Sequence, residues 1–210
     1  MQNFTSQNEP NTNYLLAEAD KMKTTGEHLE AIKICEKILT GDLDNCDAYE
    51  EIGDNYLSMR EYQKAEKALI QALRVNPNSA NAHYLIGFAH SALGHWSESI
   101  GHLETADQLQ ANHPEILRCL GWSIFHSGER KQGLVLLERA LHLSPKDALI
   151  LSDLGICYLN DKDFERASQL FNTVLEIEPD NEKVRECLYA VKFFRSEFKK
   201  LRTTKDSELS

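Results

Sequence analysis

Four glycines recur at one fixed interval along the chain. Gly53, Gly87, Gly121 and Gly155 are each 34 residues apart. The same interval separates the members of two further sets, Leu69, Leu103, Leu137 and Phe171, and Ala72, Ala106 and Ala140. Self-similarity with a period of this size indicates an array in which one small structural unit stacks on copies of itself.

Contiguous units of 34 residues cover most of the chain without an insertion. We predict five, with the bounds 12–45, 46–79, 80–113, 114–147 and 148–181. Within each unit, positions 4, 7, 8 and 11 have the spacing of one helix face, and so do positions 20, 24 and 27. Each unit is therefore predicted to be a pair of amphipathic helices, A and B. One such hairpin buries its apolar face only by stacking on a neighbour.

Small residues recur where helices A and B are expected to cross. Position 8 is Gly in four units and position 20 is Ala in three. Gly inside a helix costs about 0.5–1 kcal/mol relative to Ala, so its recurrence indicates that close packing offsets the cost. We expect Gly53 to face Ala65 and Gly155 to face Ala167.

These columns resemble the tetratricopeptide repeat, whose pattern is W-x2-L-G-x2-Y…A-x3-F…P. The resemblance covers 170 of the 210 residues. It implies an all-α, right-handed superhelical solenoid of antiparallel helix pairs, with the A helices lining a concave groove. It also implies a protein–protein interaction scaffold or adaptor, in which positions 2, 5, 9, 12 and 13 of helix A contact the ligand.

Carried onto this chain, those positions give a groove that is acidic at its first end and apolar beyond it. The candidate contacts are Asp20, Glu50, Asp54, Tyr84, Phe88, Arg118, Trp122, Phe125, His126, Ile156 and Leu159. Exposed apolar side chains mark interaction sites, and Trp, Tyr and Arg are frequent hot spots. We expect a partner protein or peptide with apolar anchors and basic side chains. The alternative stays open that the aromatic residues pack between A helices and that the acidic residues only solvate a helix face.

The last part of the chain has a different pattern. Residues 182–202 carry one apolar stripe surrounded by basic residues, and we predict a capping helix that shields the last repeat. The stripe consists of Cys187, Leu188, Val191, Phe194, Phe198 and Leu201. Phe193 lies off this stripe, which leaves self-association into a homo-oligomer open. Residues 1–11 and 203–210 are polar, and we predict disordered tails.

Composition excludes several classes of function. The formal net charge is −10, so a phosphate backbone would be repelled and nucleic acid is not an expected partner. No run approaches 18 apolar residues, which predicts no membrane span. The N-terminal residues have neither the basic nor the apolar region of a signal peptide, and the five cysteines form no C-x-x-C pair. We expect a cytoplasmic protein with reduced thiols.

No catalytic motif is present, and we predict that the chain is not an enzyme and has no cofactor or metal. His83 and His90 lie in core columns, where they are expected to replace the usual aromatic residues. Two other functions remain beside the scaffold. One is a structural or assembly subunit that docks through its convex face or capping helix, and the other is a chaperone for a secreted client.

Overall fold

The computed structural model describes residues 12–208, with side chains to residue 200, and every regular element in this part of the chain is an α-helix. The eleven helices are α1 (Thr12–Thr24), α2 (His28–Gly41), α3 (Cys46–Ser58), α4 (Tyr62–Val75), α5 (Ala80–Leu93), α6 (Trp96–Leu109), α7 (Pro114–Ser127), α8 (Arg130–Leu143), α9 (Ala148–Asn160), α10 (Phe164–Ile177) and α11 (Glu182–Glu208). The all-α class predicted from the periodicity is confirmed. The predicted tail 1–11 lies outside the described residues, as do residues 209 and 210.

The helices form two compact units. The N-terminal unit ends at Ala111 and contains α1 to α6, and the C-terminal unit begins at Asn112 and contains α7 to α11. Each odd-numbered helix from α1 to α9 packs on the helix that follows it. Odd-numbered helices that are consecutive within one compact unit also pack on each other. The odd-numbered helices α1 to α9 are the A helices of the predicted repeats, and the even-numbered helices are the B helices.

The same position ends helix A in all five predicted repeats. Gly26, Gly94 and Gly128 have φ angles of 83°, 75° and 116°, and Arg60 and Lys162 at the equivalent position have φ angles of 60° and 64°. A left-handed residue reverses the chain and lets its N–H bond to the last turn, which Gly does without a steric penalty. Position 15 of each repeat therefore fixes the short loop between A and B.

Polar residues begin most of the A helices at a second repeated position. Asn45, Ser79 and Asp147 each accept a hydrogen bond from a backbone N–H in the first turn that follows them. Asn181 accepts one from the N–H of Val184 at the start of α11. These residues are multiples of 34 apart, so helix capping follows the repeat period.

Positions 3 and 10 of the repeat are two buried columns of the A helices. Both positions are buried in α3, α5, α7, α9 and α11, where they are occupied by Ala48 and Asn55, Ala82 and Ala89, Ile116 and Ser123, Ile150 and Cys157, and Val184 and Val191. Burial of these columns removes apolar surface that one hairpin alone would leave in water.

The glycines at position 8 lie in close contact with helix B, and in the repeats of Gly53 and Gly155 the nearest atoms belong to the side chain at position 24. A Cβ atom on Gly53 would lie 2.5 Å from Leu69 Cγ, and one on Gly155 would lie 2.7 Å from Phe171 Cε1. The nearest atoms thus belong to position 24, one turn beyond Ala65 and Ala167, because the larger side chain fills the space that Gly leaves. Backbones approach directly in α7 and α8, where a Cβ on Gly133 would lie 2.6 Å from the carbonyl oxygen of Gly121.

The C-terminal helix is longer than predicted. It continues to Glu208, so residues 203–208 are helical where we expected a disordered tail. The segment from Glu182 to Glu208 contains neither Gly nor Pro, and nothing in its sequence therefore ends the helix at residue 202.

Candidate functional site

The A helices of the N-terminal unit line an open cavity of about 450 Å³. Its lining comes from α1, α3 and α5 and consists of Leu16, Asp20, Lys23, Asp47, Glu50, Glu51, Asp54, Asn81 and Leu85. We call it the acidic cavity, because five of these nine residues are carboxylates. The structure thus brings together the predicted contacts Asp20, Glu50 and Asp54.

Lys23 neutralises part of this charge. Its Nζ lies 3.3 Å from an oxygen of Asp20, 3.0 Å from one of Glu51 and 2.9 Å from one of Asp54. Burial lowers the pKa of Lys23, but its hydrogen bonds to Asp54 and Glu51 outweigh this effect and hold the pKa above its ordinary value. Lys23 therefore stays cationic, and the lining keeps an excess of negative charge.

The carboxylates of the acidic cavity differ in how far they are hydrogen-bonded within the protein and in how exposed they are to solvent. Glu50 accepts hydrogen bonds from the Ser79 hydroxyl and, at 2.7 Å, from Asn81 Nδ2, so it joins α3 to the start of α5. Asp47 is exposed, and the side chain of Asp20 is 63% exposed. Asp20 and Asp47 are therefore the carboxylates best placed to meet a partner.

Tyr84 and Phe88, the other predicted contacts in the N-terminal unit, are half-buried. Both pack against the core cluster that contains Leu57, Leu85 and Ile86. Each ring therefore contributes to packing while part of its surface remains open to water.

In the C-terminal unit, Arg118 is engaged in an ion network. Its guanidinium donates to Asp153 Oδ2 at 2.7 Å and to Glu115 Oε2 at 3.0 Å, and its side chain is only 12% exposed. Burial raises the pKa of the Asp153 carboxyl above its ordinary value, although Arg118 opposes this shift. Arg118 thus links α7 to α9 rather than presenting its charge to solvent.

The aromatic residues of α7 have unequal exposure. Phe125 is 3% exposed and belongs to the core, with the Arg130 guanidinium 5.6 Å from its ring centre. It offers no free ring to a partner, because side chains of α9 and α10 belong to the same cluster. Trp122 is half-buried and lies against His126, with 4.3 Å between ring centres. Burial, assisted by Arg130, lowers the pKa of His126.

Ile156 and Leu159 complete the predicted contacts. Both pack against the core cluster of the C-terminal unit. Both side chains are half-buried. The predicted residues of this unit outside the core and the Arg118 network are therefore Trp122 and His126 on α7, and Ile156 and Leu159 on α9.

Two polar networks were missed by the sequence analysis. Lys23 and Asp54 are 31 residues apart, as are Glu50 and Asn81, while Arg118 and Asp153 are 35 apart. A separation close to one repeat places two residues side by side on neighbouring A helices. Opposite charges near this separation are the signal that would have found the Lys23–Asp54 and Arg118–Asp153 pairs.

Among residues 12–200, whose side chains the structure describes, no group of three or more His, Cys, Asp or Glu is arranged to hold a metal ion. Within residues 12–208, no helix combines the length and the apolar composition needed to cross a bilayer.

Comparison with protein families gives two matches. A model described as "Tetratricopeptide repeat" matches residues 125–187, and one described as "Anaphase-promoting complex, cyclosome, subunit 3" matches residues 25–106. Among curated proteins, the chain is 26% identical over 123 residues to anaphase-promoting complex subunit 3 of Schizosaccharomyces pombe, and 27% identical over 96 residues to superkiller complex protein 3 of Mus musculus. These alignments cover 59% and 46% of this chain, but only 18% and 6% of the two relatives.

Solved structures share the fold. The protein TTC0263 of Thermus thermophilus has a TM-score of 0.75 and 16% identity, with 87% of this chain and 99% of that chain covered. The anaphase-promoting complex assembly Cut9–Hcn1 has a TM-score of 0.81 and 20% identity, with 88% and 37% covered. YrrB, described as having an unusual peptide-binding site, has a TM-score of 0.62 and 21% identity, with 88% and 94% covered.

Helix pairs repeated every 34 residues define an α-helical repeat protein of the kind that serves as a protein–protein interaction scaffold. Residues 125–187 match the tetratricopeptide-repeat family, and the helix pairs of the chain share the fold of solved tetratricopeptide-repeat proteins.

Proposed function

We propose that the protein is a scaffold that binds a segment of a partner protein on its A helices, and that the acidic cavity receives a basic side chain of that segment. The observation that carries this proposal is the lining of the cavity, where five carboxylates face a single ammonium group. A guanidinium or ammonium group entering beside Asp20 and Asp47 gains charge-assisted hydrogen bonds. Leu16 and Leu85 offer apolar contact for the methylene groups of the same side chain.

Charged and apolar side chains of the N-terminal unit should contribute differently to binding, because they differ in exposure to solvent. Carboxylates at the mouth of a cavity steer a cationic partner and set its orientation, whereas apolar contacts contribute most of the affinity. Tyr84 and Phe88 are the half-buried rings of the same unit that can supply such contacts. In the C-terminal unit, Trp122 and His126 offer a second surface for an apolar anchor.

A peptide selection on the intact chain tests this proposal. A displayed library of 12-residue peptides is selected against the wild-type protein, and the affinity of the enriched peptides is measured by calorimetry. We expect enrichment of Arg or Lys beside Leu or aromatic residues. The variant Asp20→Asn/Asp47→Asn keeps the side-chain shape and should weaken these peptides by roughly twofold to fivefold for each charge removed.

The matched control is Glu98→Gln/Glu104→Gln, which removes the same charge from exposed positions on α6. It should leave the affinity nearly unchanged. Enrichment of acidic or uncharged peptides, or equal losses in both double variants, would contradict a cationic occupant of the acidic cavity.

A second candidate function is that of an assembly subunit within a larger complex. It is favoured by the match of residues 25–106 to a family named for a subunit of a multiprotein complex. A stable complex purified with the Tyr84→Ser/Phe88→Ser/Trp122→Ser variant, at the yield obtained with the wild type, would point to docking through another face.

A further inference from the structure

Helix α11 continues the register of the A helices. Val184 and Val191 follow Ile150 and Cys157 by 34 residues, and all four are buried at positions 3 and 10 of their repeats. Helix α11 packs on α9 and α10, as an A helix packs on the hairpin before it within one compact unit. Its inner face is thus the face of a sixth A helix.

The opposite face of α11 is exposed. At position 8, which packs against helix B in each preceding repeat, Ala19, Gly53, Gly87, Gly121 and Gly155 are all buried. The residue at this position of α11 is Tyr189, which is 74% exposed, and Phe193 on the next turn is 52% exposed. Two adjacent exposed aromatic side chains on a helix are typical of an interaction surface.

Tyr189 also determines what kind of helix fits this face. In the α7–α8 hairpin the backbones approach so closely that even a Cβ on Gly121 would lie 2.9 Å from a carbonyl oxygen. A tyrosine at the same position excludes that approach. A helix that covers this face must stand further away, with the two aromatic rings filling the space between the axes.

The charges along this face identify its partner. Glu186, Tyr189, Phe193 and Lys200 lie on one side of the helix, because their separations of 3, 4 and 7 residues match the helical period. Glu186 and Lys200 are each seven residues from Phe193, in opposite directions. A second α11 that runs antiparallel and crosses at Phe193 therefore places Glu186 opposite Lys200 at both ends. Parallel helices would place like charges opposite each other.

We propose that two copies of the chain associate through antiparallel α11 helices, with the Phe193 rings at the centre and the Tyr189 rings beside them. The contact is isologous, because the same face serves in both copies. Lys200 Nζ already lies 2.7 Å from Glu197 Oε1 of its own helix, and this exposed pair is weak enough to be shared. A single helix pair buries a small area, so we expect a dissociation constant on the order of micromolar.

Sedimentation velocity of the full chain over a wide concentration range tests the proposal. The weight-average mass should rise from that of one chain towards that of two. Tyr189→Ser/Phe193→Ser should raise the dissociation constant at least about tenfold, because both central rings are lost. Circular dichroism checks that the helix content is unchanged, as expected when only exposed side chains are replaced.

Charge reversal distinguishes antiparallel pairing from any other contact. Glu186→Lys and Lys200→Glu should each weaken the dimer, by roughly threefold to tenfold, since each change converts two attractive pairs into repulsive ones. The double variant Glu186→Lys/Lys200→Glu should restore the wild-type constant. Arg195→Glu is the matched control, because this exposed residue lies on α11 at least about 120° around the helix from Glu186, Tyr189, Phe193 and Lys200, and it should have little effect.

Three results would overturn the proposal. They are a chain that stays monomeric at several hundred micromolar, a dimer that the double aromatic variant leaves intact, and a double charge reversal that fails to restore association. Binding of the monomer to vesicles with 30% phosphatidylserine, lost in the aromatic variant, would instead assign this face to an anionic membrane.

Discussion

At the scale of single residues, imidazole rings gather between α5 and α6. His83 Nδ1 and His102 Nδ1 are 3.0 Å apart, and the ring centre of His90 is 6.0 Å from that of His102. Glu66 on α4 faces this group, with an oxygen 3.4 Å from His90 Nε2. A hydrogen bond between two imidazole nitrogens needs one of them to accept, so at least one of these rings is neutral in the folded protein.

The cluster predicts a loss of stability in mild acid. Burial lowers the pKa of His102 from its ordinary value of 6.5, the nearby His83 and His90 lower it further, and Glu66 opposes them. The unfolded chain therefore binds more protons than the folded chain, and the free energy of unfolding falls as the pH drops through about 6.5. Urea unfolding at pH 7.5 and 5.5 should show this fall, and His102→Gln should reduce it.

The control for this prediction is His142→Gln, because His142 lies on α8, outside this cluster. Its pH dependence should match that of the wild type. An equal loss of stability in the wild type and in His102→Gln between the two pH values would show that the cluster does not titrate as described.

At the scale of helices, close packing of α7 on α8 predicts that replacing Gly133 by Ala destabilises the protein. The same replacement at Gly101, which lies in open space, should stabilise it. Gly133→Ala places a Cβ 2.6 Å from both the Gly121 carbonyl oxygen and the Phe125 nitrogen, and neither backbone atom can move alone. We expect a loss of about 1–3 kcal/mol in the free energy of unfolding. Gly101 in α6 has open space around it, so Gly101→Ala should gain about 0.5–1 kcal/mol from helix propensity.

Denaturant unfolding of the two variants measures both effects under the same conditions. The pair is matched because both replace Gly by Ala inside a B helix. Destabilisation of similar size in the two proteins would mean that close packing of α7 on α8 is not what requires glycine at this position.

The helices were predictable from the sequence because burial, turn chemistry and spacing all share one period. Positions 4, 7, 8 and 11 indicated the A helices, and positions 20, 24 and 27 indicated the B helices. Which of the remaining side chains face water depends on the angle at which each A helix packs on its neighbour. The spacing of residues along a single helix carries no information about this angle. Phe125 and Arg118 were therefore predicted as contacts, although one lies in the core and the other is paired with Asp153.

The acidic cavity was partly predictable for the same reason. Asp20, Glu50 and Asp54 were recognised because they occupy the family's ligand-contacting positions. The contribution of Lys23 was not, because its partners lie on the next A helix and become neighbours only after stacking. Residues 203–208 were predicted to be disordered from polarity alone, although a polar segment without Gly or Pro can extend a helix that is already nucleated.

At the scale of the whole molecule, stability should be distributed along the chain rather than concentrated in one core. Each hairpin packs mainly on adjacent elements of its own compact unit, so the free energy of unfolding approximates a sum of local terms. A defect in one hairpin should then raise local opening near that hairpin more than elsewhere. The alternative is a single cooperative transition, in which every protected amide exchanges through the same global unfolding.

Hydrogen exchange of the Gly133→Ala variant separates these two behaviours. A local loss of about 1.4 kcal/mol corresponds to about a tenfold rise in exchange, and we expect a rise of this order in α7 to α10. The amides of α1 to α4 should change much less, because these helices belong to the other compact unit. Gly101→Ala serves as the control and should accelerate exchange in neither group. An equal acceleration in α1 to α4 and in α7 to α10 would show that the chain unfolds as one cooperative body.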